Sequence, residues 1–155
     1  MGHPDVEREW IVRFLDDLRA AESAGAEVLG AWIAVCRLDG LRGGLRAIAE
    51  REAAHAELLA ERLREIGAPC AAEIATAVRD AALARFGSGD VPDEDKIAAL
   101  LARYPDDDSA TRPLRAVLEQ LDHDLETREI LRLVADGEAA TMAWLRAYNA
   151  GLART

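Results

Sequence analysis

The stretch EREAAHAELLAERL, residues 50–63, decides the fold prediction for this chain. Apart from one histidine it consists of Ala, Glu, Leu and Arg, which are strong helix formers. Glu52 and His55 are three residues apart, so a helix projects both side chains from one face. Leu59 and Leu63 continue that face with apolar residues. The stretch therefore predicts a helix whose buried stripe carries a carboxylate and an imidazole.

The composition of the whole chain extends the helical prediction to all 155 residues. Half of the residues are hydrophobic and only 5% are aromatic, and β-branched residues are sparse. The net charge of −10 should repel nucleic acid and anionic membrane surfaces, and no apolar run reaches membrane-spanning length. We predict one all-α domain, residues 1–155, that binds neither nucleic acid nor membrane.

Cysteine usage and the N-terminal sequence predict a cytoplasmic location. Cys36 and Cys70 are far apart and form no CxxC pair, which is typical of reduced packing thiols in a cytosolic protein. The N-terminal sequence MGHPDVEREW is too polar for a signal peptide.

Apolar periodicity and Gly/Pro punctuation predict two helix pairs joined by a crossover. The first pair occupies residues 4–67, with a turn at the glycine-containing segment LDGLRGG, residues 38–44. Gly67 and Pro69 end it, as expected for a helix C-terminus. The crossover, residues 68–92, contains a short helix over residues 71–86. The second pair occupies residues 93–150, with a break near Pro105 and Pro113. This order predicts a four-helix bundle with one long crossover.

Two further carboxylates fall on predicted apolar stripes. Glu22 follows Leu18 by four residues and precedes Leu29 by seven, and Glu138 has the same spacing from Val134 and Leu145. Buried carboxylates are costly, and several that converge repel one another unless they are protonated or share a cation. Glu and His together are ligands that suit iron, manganese or zinc. We therefore predict a metal site that includes Glu22, Glu52, His55 and Glu138.

An internal repeat suggests a fifth ligand on the third helix. The segment LRGGLRAIAEREAAH (41–55) aligns with TREILRLVADGEAAT (127–141), so that EAAH matches EAAT. The spacing between Glu22 and Glu52 is 30 residues, and counting back 30 or 31 residues from Glu138 leads to Asp108 or Asp107 in the run Asp106–Asp108. Asp107 is favoured within this run because Leu114, Leu118 and Leu121 follow it at helical intervals. Asp106 and Asp108 stay open as alternatives.

These residues resemble the ferritin-like, rubrerythrin-type di-iron carboxylate superfamily, clearly over residues 10–67 and more faintly over 107–150. The resemblance implies a ferritin-like bundle in which a Glu on one helix and Glu-x-x-His on the next occur twice around two iron or manganese ions. It also implies oxidase- or peroxidase-type chemistry with O₂ or peroxide, and a homodimer. The chain has no CxxC module for electron transfer, so an external electron donor is expected.

The second half departs from the family pattern. Thr141 stands where the second histidine belongs, and His123 is a poor substitute because of its helical phase. Three arrangements remain open: an asymmetric site for two ions, a site for one ion, or a degenerate site without metal. In the last case the chain is a non-catalytic ferritin-like scaffold for assembly or partner binding, and its polar residues form a buried hydrogen-bonded cluster.

Overall fold

Six helices form the regular structure of residues 4–154, the part of the chain that the computed structural model describes. In chain order they are α1 (Pro4–Val35), α2 (Asp39–Glu65), α3 (Thr76–Phe86), α4 (Asp93–Arg103), α5 (Arg112–Leu118) and α6 (Leu125–Leu152). These residues contain no strand, which confirms the all-α prediction. None of the described helices combines the length and apolar character that a membrane span requires.

The chain divides into two compact units. Unit 1 comprises Met1–Val35 and Gly43–Ser88, and unit 2 comprises Cys36–Arg42 and Gly89–Thr155. The prediction of a single domain over residues 1–155 is not tested by this division and stays a prediction.

In unit 1, α1 and α2 pack side by side and run in opposite directions. The Arg8 guanidinium near the start of α1 donates a hydrogen bond of 2.6 Å to the Ile66 carbonyl just after α2. The predicted stripes form the core here, since the following side chains are buried: Ile11, Leu15, Leu29, Leu45, Ile48, Leu59 and Leu63. The short helix α3 packs on α1, and the rings of Trp32 and Phe86 lie 5.4 Å apart.

The two ends of α2 differ in how closely the glycine residues of the sequence predict their positions. Gly67 has φ 73° and the Ala68 N–H bonds to the Leu63 carbonyl at 2.8 Å, which confirms the glycine cap. The turn predicted at the segment 38–44 lies slightly earlier, at residues 36–38, because α2 already begins at Asp39. Gly40 lies inside the helix, where a Cβ would approach the Tyr148 ring to 3.4 Å. That glycine therefore reflects close packing in unit 2 rather than a turn.

The short helix of the crossover begins later than residue 71. The α3 helix starts at Thr76 because Ala71 and Ala72 donate their backbone N–H groups to Asp16 Oδ2, at 2.8 and 2.7 Å. This contact is distant in sequence, and helical periodicity does not reveal it.

In unit 2, α4 and α5 pack on α6. The predicted break near Pro105 and Pro113 is confirmed, since α4 ends at Arg103 and α5 spans only Arg112–Leu118. The side chain of Asp124 caps α6 by accepting a hydrogen bond of 3.0 Å from the Thr127 N–H. The buried face of α6 includes Leu131, Val134, Ala135, Thr141, Met142 and Leu145.

Candidate metal centre

Glu22 is a buried carboxylate in the middle of α1. It is 5% exposed, and it lies on the helix face that also buries Leu15 and Leu29. Small residues surround it in the sequence, and Ala20 beside it is buried as well. The sequence-based expectation that Glu22 points into the interior is therefore confirmed.

His55 on α2 meets Glu22 directly. Its Nδ1 lies 3.3 Å from Glu22 Oε2, and its side chain is 13% exposed. The two residues are 33 positions apart in sequence and meet because α1 and α2 are antiparallel neighbours in unit 1. The structure thus brings together two of the predicted ligands, from two helices.

Glu52 reaches toward α1 one helical turn away from this pair. A Cβ built on Gly25 would overlap Oε2 of Glu52 and lie 3.2 Å from its Cδ. Gly25 follows Glu22 by three residues, so the Glu52 carboxylate rests on α1 next to the turn that carries Glu22. The absence of a side chain at Gly25 gives this carboxylate its space.

The donor atoms of Glu22 and His55 fit a shared cation. Carboxylate oxygen and imidazole nitrogen bind first-row metals at about 2.0–2.2 Å, so two ligands of one ion lie roughly 3 Å apart. The observed Nδ1–Oε2 distance of 3.3 Å is compatible with this separation. It is equally compatible with a hydrogen bond, in which the protonated imidazole nitrogen donates to the carboxylate.

Glu138 occupies the middle of α6 in unit 2. It is half-buried, and the neighbouring residues Val134, Ala135 and Thr141 are buried. Thr141, at the position that the repeat aligns with His55, is 8% exposed. Glu138 therefore lies on the predicted buried stripe of its own helix, and its role as a metal ligand stays a prediction.

The predicted placement of Asp107 is wrong. Asp107 lies in the turn between α4 and α5, its side chain is 89% exposed, and it pairs with the Arg146 guanidinium at 3.0 Å. The same guanidinium donates to the carbonyls of Tyr104 and Asp106. Because Pro105 and Pro113 interrupt the helix, the helical phase that was extended across them does not apply.

The alternatives to Asp107 and the substitute histidine are also on the surface. Asp106 accepts backbone hydrogen bonds from Asp108 and Ser109, while the Asp108 carboxylate lies 3.3 Å from Arg115. His123 is exposed in the bend before α6. Each of these side chains has a position typical of turn and surface chemistry, so we leave them out of the candidate centre.

The sequence analysis did not identify several buried charged groups, among them Asp16 and Lys96. Asp16 holds the segment after α2, and Lys96 is 1% exposed in α4 beside Asp93, which is 6% exposed. Asp16 lies next to Leu15 on the buried side of α1, which was the available signal. Lys96 carries a different signal, because it is the only lysine in a chain with many arginines.

Comparisons with protein-family models, with curated proteins and with solved structures found no match for this chain. The ferritin-like resemblance therefore rests on the residues quoted above and stays a prediction.

Proposed function

We propose that this protein is a ferritin-like metal-binding protein whose centre is built on Glu22, Glu52 and His55. The observation that carries the proposal is the contact of 3.3 Å between the buried Glu22 and the half-buried His55 on neighbouring helices. The space beside Gly25 that the Glu52 carboxylate fills supports it, because it directs a third donor toward the same part of α1. Glu138 stays a predicted ligand on the basis of its place on the apolar stripe of the last helix.

The donor set favours iron or manganese as the resident metal. Two carboxylates and one imidazole are typical ligands of these ions, and a thiol ligand is not among the residues of the centre. The bound ion would supply redox chemistry with O₂ or peroxide, of the oxidase or peroxidase type. The residues of the chain would hold the ion: Glu22 and Glu52 balance its charge, and His55 binds it through a ring nitrogen.

The four-helix bundle with a crossover, the homodimer, the external electron donor and the cytoplasmic location belong to the same proposal. They follow from the ferritin-like resemblance and the composition of the chain. Sedimentation velocity over a range of protein concentrations tests the homodimer directly.

A non-catalytic ferritin-like scaffold is the second candidate function. Thr141 favours it, because a buried threonine replaces the histidine that a symmetric site requires. In this case His55 and the Glu22 carboxylate form part of a buried hydrogen-bonded cluster without a metal. The chain would then serve assembly or partner binding.

Elemental analysis of tag-free protein distinguishes the two functions. We expect iron or manganese at one to two atoms per chain after purification without added metal or after anaerobic loading. The double variant Glu52→Ala/His55→Ala should lose this metal. The single variant Glu57→Ala is the matched control, since Glu57 is an exposed carboxylate on the same helix.

Each outcome has a defined meaning. Two atoms per chain support a dinuclear site despite Thr141, and one atom supports the asymmetric site. Metal content that is substoichiometric and equal in the double variant and in Glu57→Ala contradicts the metalloprotein function and favours the scaffold.

A further inference from the structure

Unit 2 contains a buried cluster of a thiol, a carboxylate and an amine that the proposed function does not use. The three residues are Cys36 (5% exposed), Asp93 (6%) and Lys96 (1%). All three belong to unit 2 and lie outside the candidate metal centre.

Hydrogen bonds hold the segment of Cys36 against Asp93, and helix geometry places Lys96 on the face of α4 that carries Asp93. The N–H of Arg37, the residue after Cys36, donates to Asp93 Oδ2 at 2.8 Å, and this bond holds the start of α4 against the α1–α2 connection. Lys96 follows Asp93 by three residues on α4, so both side chains project from one face of the helix. The Cys36 thiol donates to the Leu38 carbonyl at 3.5 Å, which keeps it within the same connection.

The electrostatics of the cluster favour neutral forms of the thiol and the amine. Burial lowers the pKa of the Lys96 amine, and the nearby Asp93 and Cys36 offset only part of this effect. Burial also raises the pKa of the Cys36 thiol, and the Asp93 carboxylate raises it further. A buried amine with a lowered pKa is a better nucleophile than an ordinary lysine, because more of it is unprotonated.

We propose that Cys36 and Lys96 form a reversible covalent cross-link when the protein meets hydrogen peroxide. In the first step the Cys36 sulfur takes one oxygen from the peroxide, which gives a sulfenic acid and one water. In the second step the Lys96 nitrogen attacks this sulfur, an S–N bond forms, the S–O bond breaks, and hydroxide leaves with a proton from the amine as a second water. The sum is one thiol, one amine and one peroxide giving one sulfenamide and two waters.

Asp93 assists the second step by its position. Its negative charge acts on both the Cys36 thiol and the Lys96 amine, and its carboxylate accepts the proton that the amine releases. Burial of the amine and the sulfur in one cluster replaces a slow encounter between separate molecules. Because the raised pKa of Cys36 leaves little thiolate, we expect the first step to be slow and to accelerate at higher pH.

The composition of the chain makes this cross-link simple to detect. Lys96 is the only lysine, so a lysine-specific protease cuts the denatured chain at one position. Acylation or substitution of that nitrogen blocks the cut. Tag-free protein is treated with hydrogen peroxide, quenched, denatured without reductant, blocked at its thiols and digested.

We expect peroxide to abolish most of the cleavage at Lys96 in the wild type and in Cys70→Ser alike. In Cys70→Ser, which lacks the exposed thiol that peroxide also oxidises, the intact mass should fall by two hydrogen atoms, and dithiothreitol should reverse both changes. Cys36→Ser should still be cleaved at Lys96 after peroxide treatment. In Lys96→Arg, the intact mass should not fall by two hydrogen atoms. Protein that is unfolded before peroxide treatment should also stay cleavable, because the groups are then apart.

Tandem mass spectrometry of the wild-type digest keeps the test independent of how the variants fold. A peptide pair joined through Cys36 and Lys96 without added oxygen supports the proposal. Full cleavage at Lys96 with Cys36 found only as thiol, sulfinic acid or a disulfide overturns it. A cross-link that retains the peroxide oxygen overturns the condensation step.

Discussion

Gly25 determines where the Glu52 carboxylate lies, although it contributes no side chain of its own. Its missing Cβ leaves room for a carboxylate from the neighbouring helix, one turn from Glu22. At this scale the candidate centre depends on single atoms: one Nδ1–Oε2 contact and one vacant Cβ position. Substitutions at such positions can change the metal affinity while α1 still folds, so the two effects can be measured separately.

We expect Gly25→Ala to weaken metal binding at least tenfold without unfolding the protein. The new Cβ overlaps the Glu52 carboxylate, which is the end of a flexible side chain and swings away. The higher helix propensity of alanine, about 1 kcal/mol in a helix interior, offsets the strain on α1. Titration of metal-free protein with manganese and thermal unfolding measure the two effects.

Gly30→Ala is the matched control, because a Cβ at Gly30 meets nothing within 4 Å. It should raise the free energy of unfolding by about 0.5–1 kcal/mol and leave the metal affinity unchanged. Equal metal affinities for both alanine variants would contradict the role of Gly25.

At the scale of elements, Asp16 joins α1 to the connection between α2 and α3. Its carboxylate accepts two backbone N–H groups and the Arg19 side chain, and Arg19 also donates to the Ala72 carbonyl at 2.7 Å. Burial alone would raise the pKa of Asp16. The N–H groups of Ala71 and Ala72 and the Arg19 guanidinium outweigh burial and hold the pKa below its ordinary value.

We expect Asp16→Asn to destabilise the protein by about 1.5–3 kcal/mol near neutral pH, the usual range for hydrogen bonds to a charged group. Because the pKa of Asp16 is lower in the folded state, its stabilisation is complete above the unfolded-state pKa. It is lost as the pH falls through the folded-state pKa. The difference between wild type and variant should therefore shrink in acid, as urea unfolding at several pH values would show.

Asp17→Asn provides the control, since Asp17 is the exposed neighbour on α1. A difference between Asp16→Asn and wild type that stays constant down to strongly acidic pH would contradict the assignment.

The start of α6 depends on a second carboxylate. Asp124 accepts hydrogen bonds from the N–H and the hydroxyl of Thr127, which is fully buried. We expect Asp124→Ala to lower the free energy of unfolding by about 1 kcal/mol, the usual cost of losing an N-cap. Asp122→Ala, an exposed position before the helix, should change it by less than about 0.5 kcal/mol. Equal values for the two variants would contradict the capping role.

For the whole molecule, the sequence predicts what depends on local periodicity. The apolar stripes of α1, α2 and α6 repeat every three or four residues, and the buried Glu22 and the position of His55 follow from them. The predicted start of α3 and the predicted helical placement of Asp107 were both wrong, because each depends on something that local periodicity does not contain. The first depends on a distant partner, Asp16, and the second depends on a phase that two prolines interrupt.

The burial of Lys96 could not be predicted from the composition of the chain. A single lysine in a chain with a net charge of −10 is expected on the surface, and Lys96 is almost fully buried. Asp93 precedes Lys96 by only three residues on α4, but the partner that holds Asp93, the backbone N–H of Arg37 in the α1–α2 connection, is more than fifty positions away in sequence. Only the tertiary structure brings that connection against α4 and buries the lysine.

The stability of the whole molecule should respond to metal if the proposed function is right. A ligand that binds only the folded state adds about 2.7 kcal/mol when its free concentration is 100 times its dissociation constant. We expect manganese to raise the thermal midpoint of the wild type, and calorimetry with and without metal measures this shift. Glu52→Gln keeps the shape of the side chain and removes its charge, so the shift caused by manganese should disappear.

The variant Glu57→Gln, on the exposed face of α2, should retain the full shift. Retention of the shift in Glu52→Gln as well would mean that manganese binds elsewhere in this acidic chain. Absence of a shift in the wild type contradicts the metalloprotein function and favours the scaffold. The comparison of these midpoints therefore separates a metalloprotein from a scaffold by an equilibrium property, independent of any assay for activity.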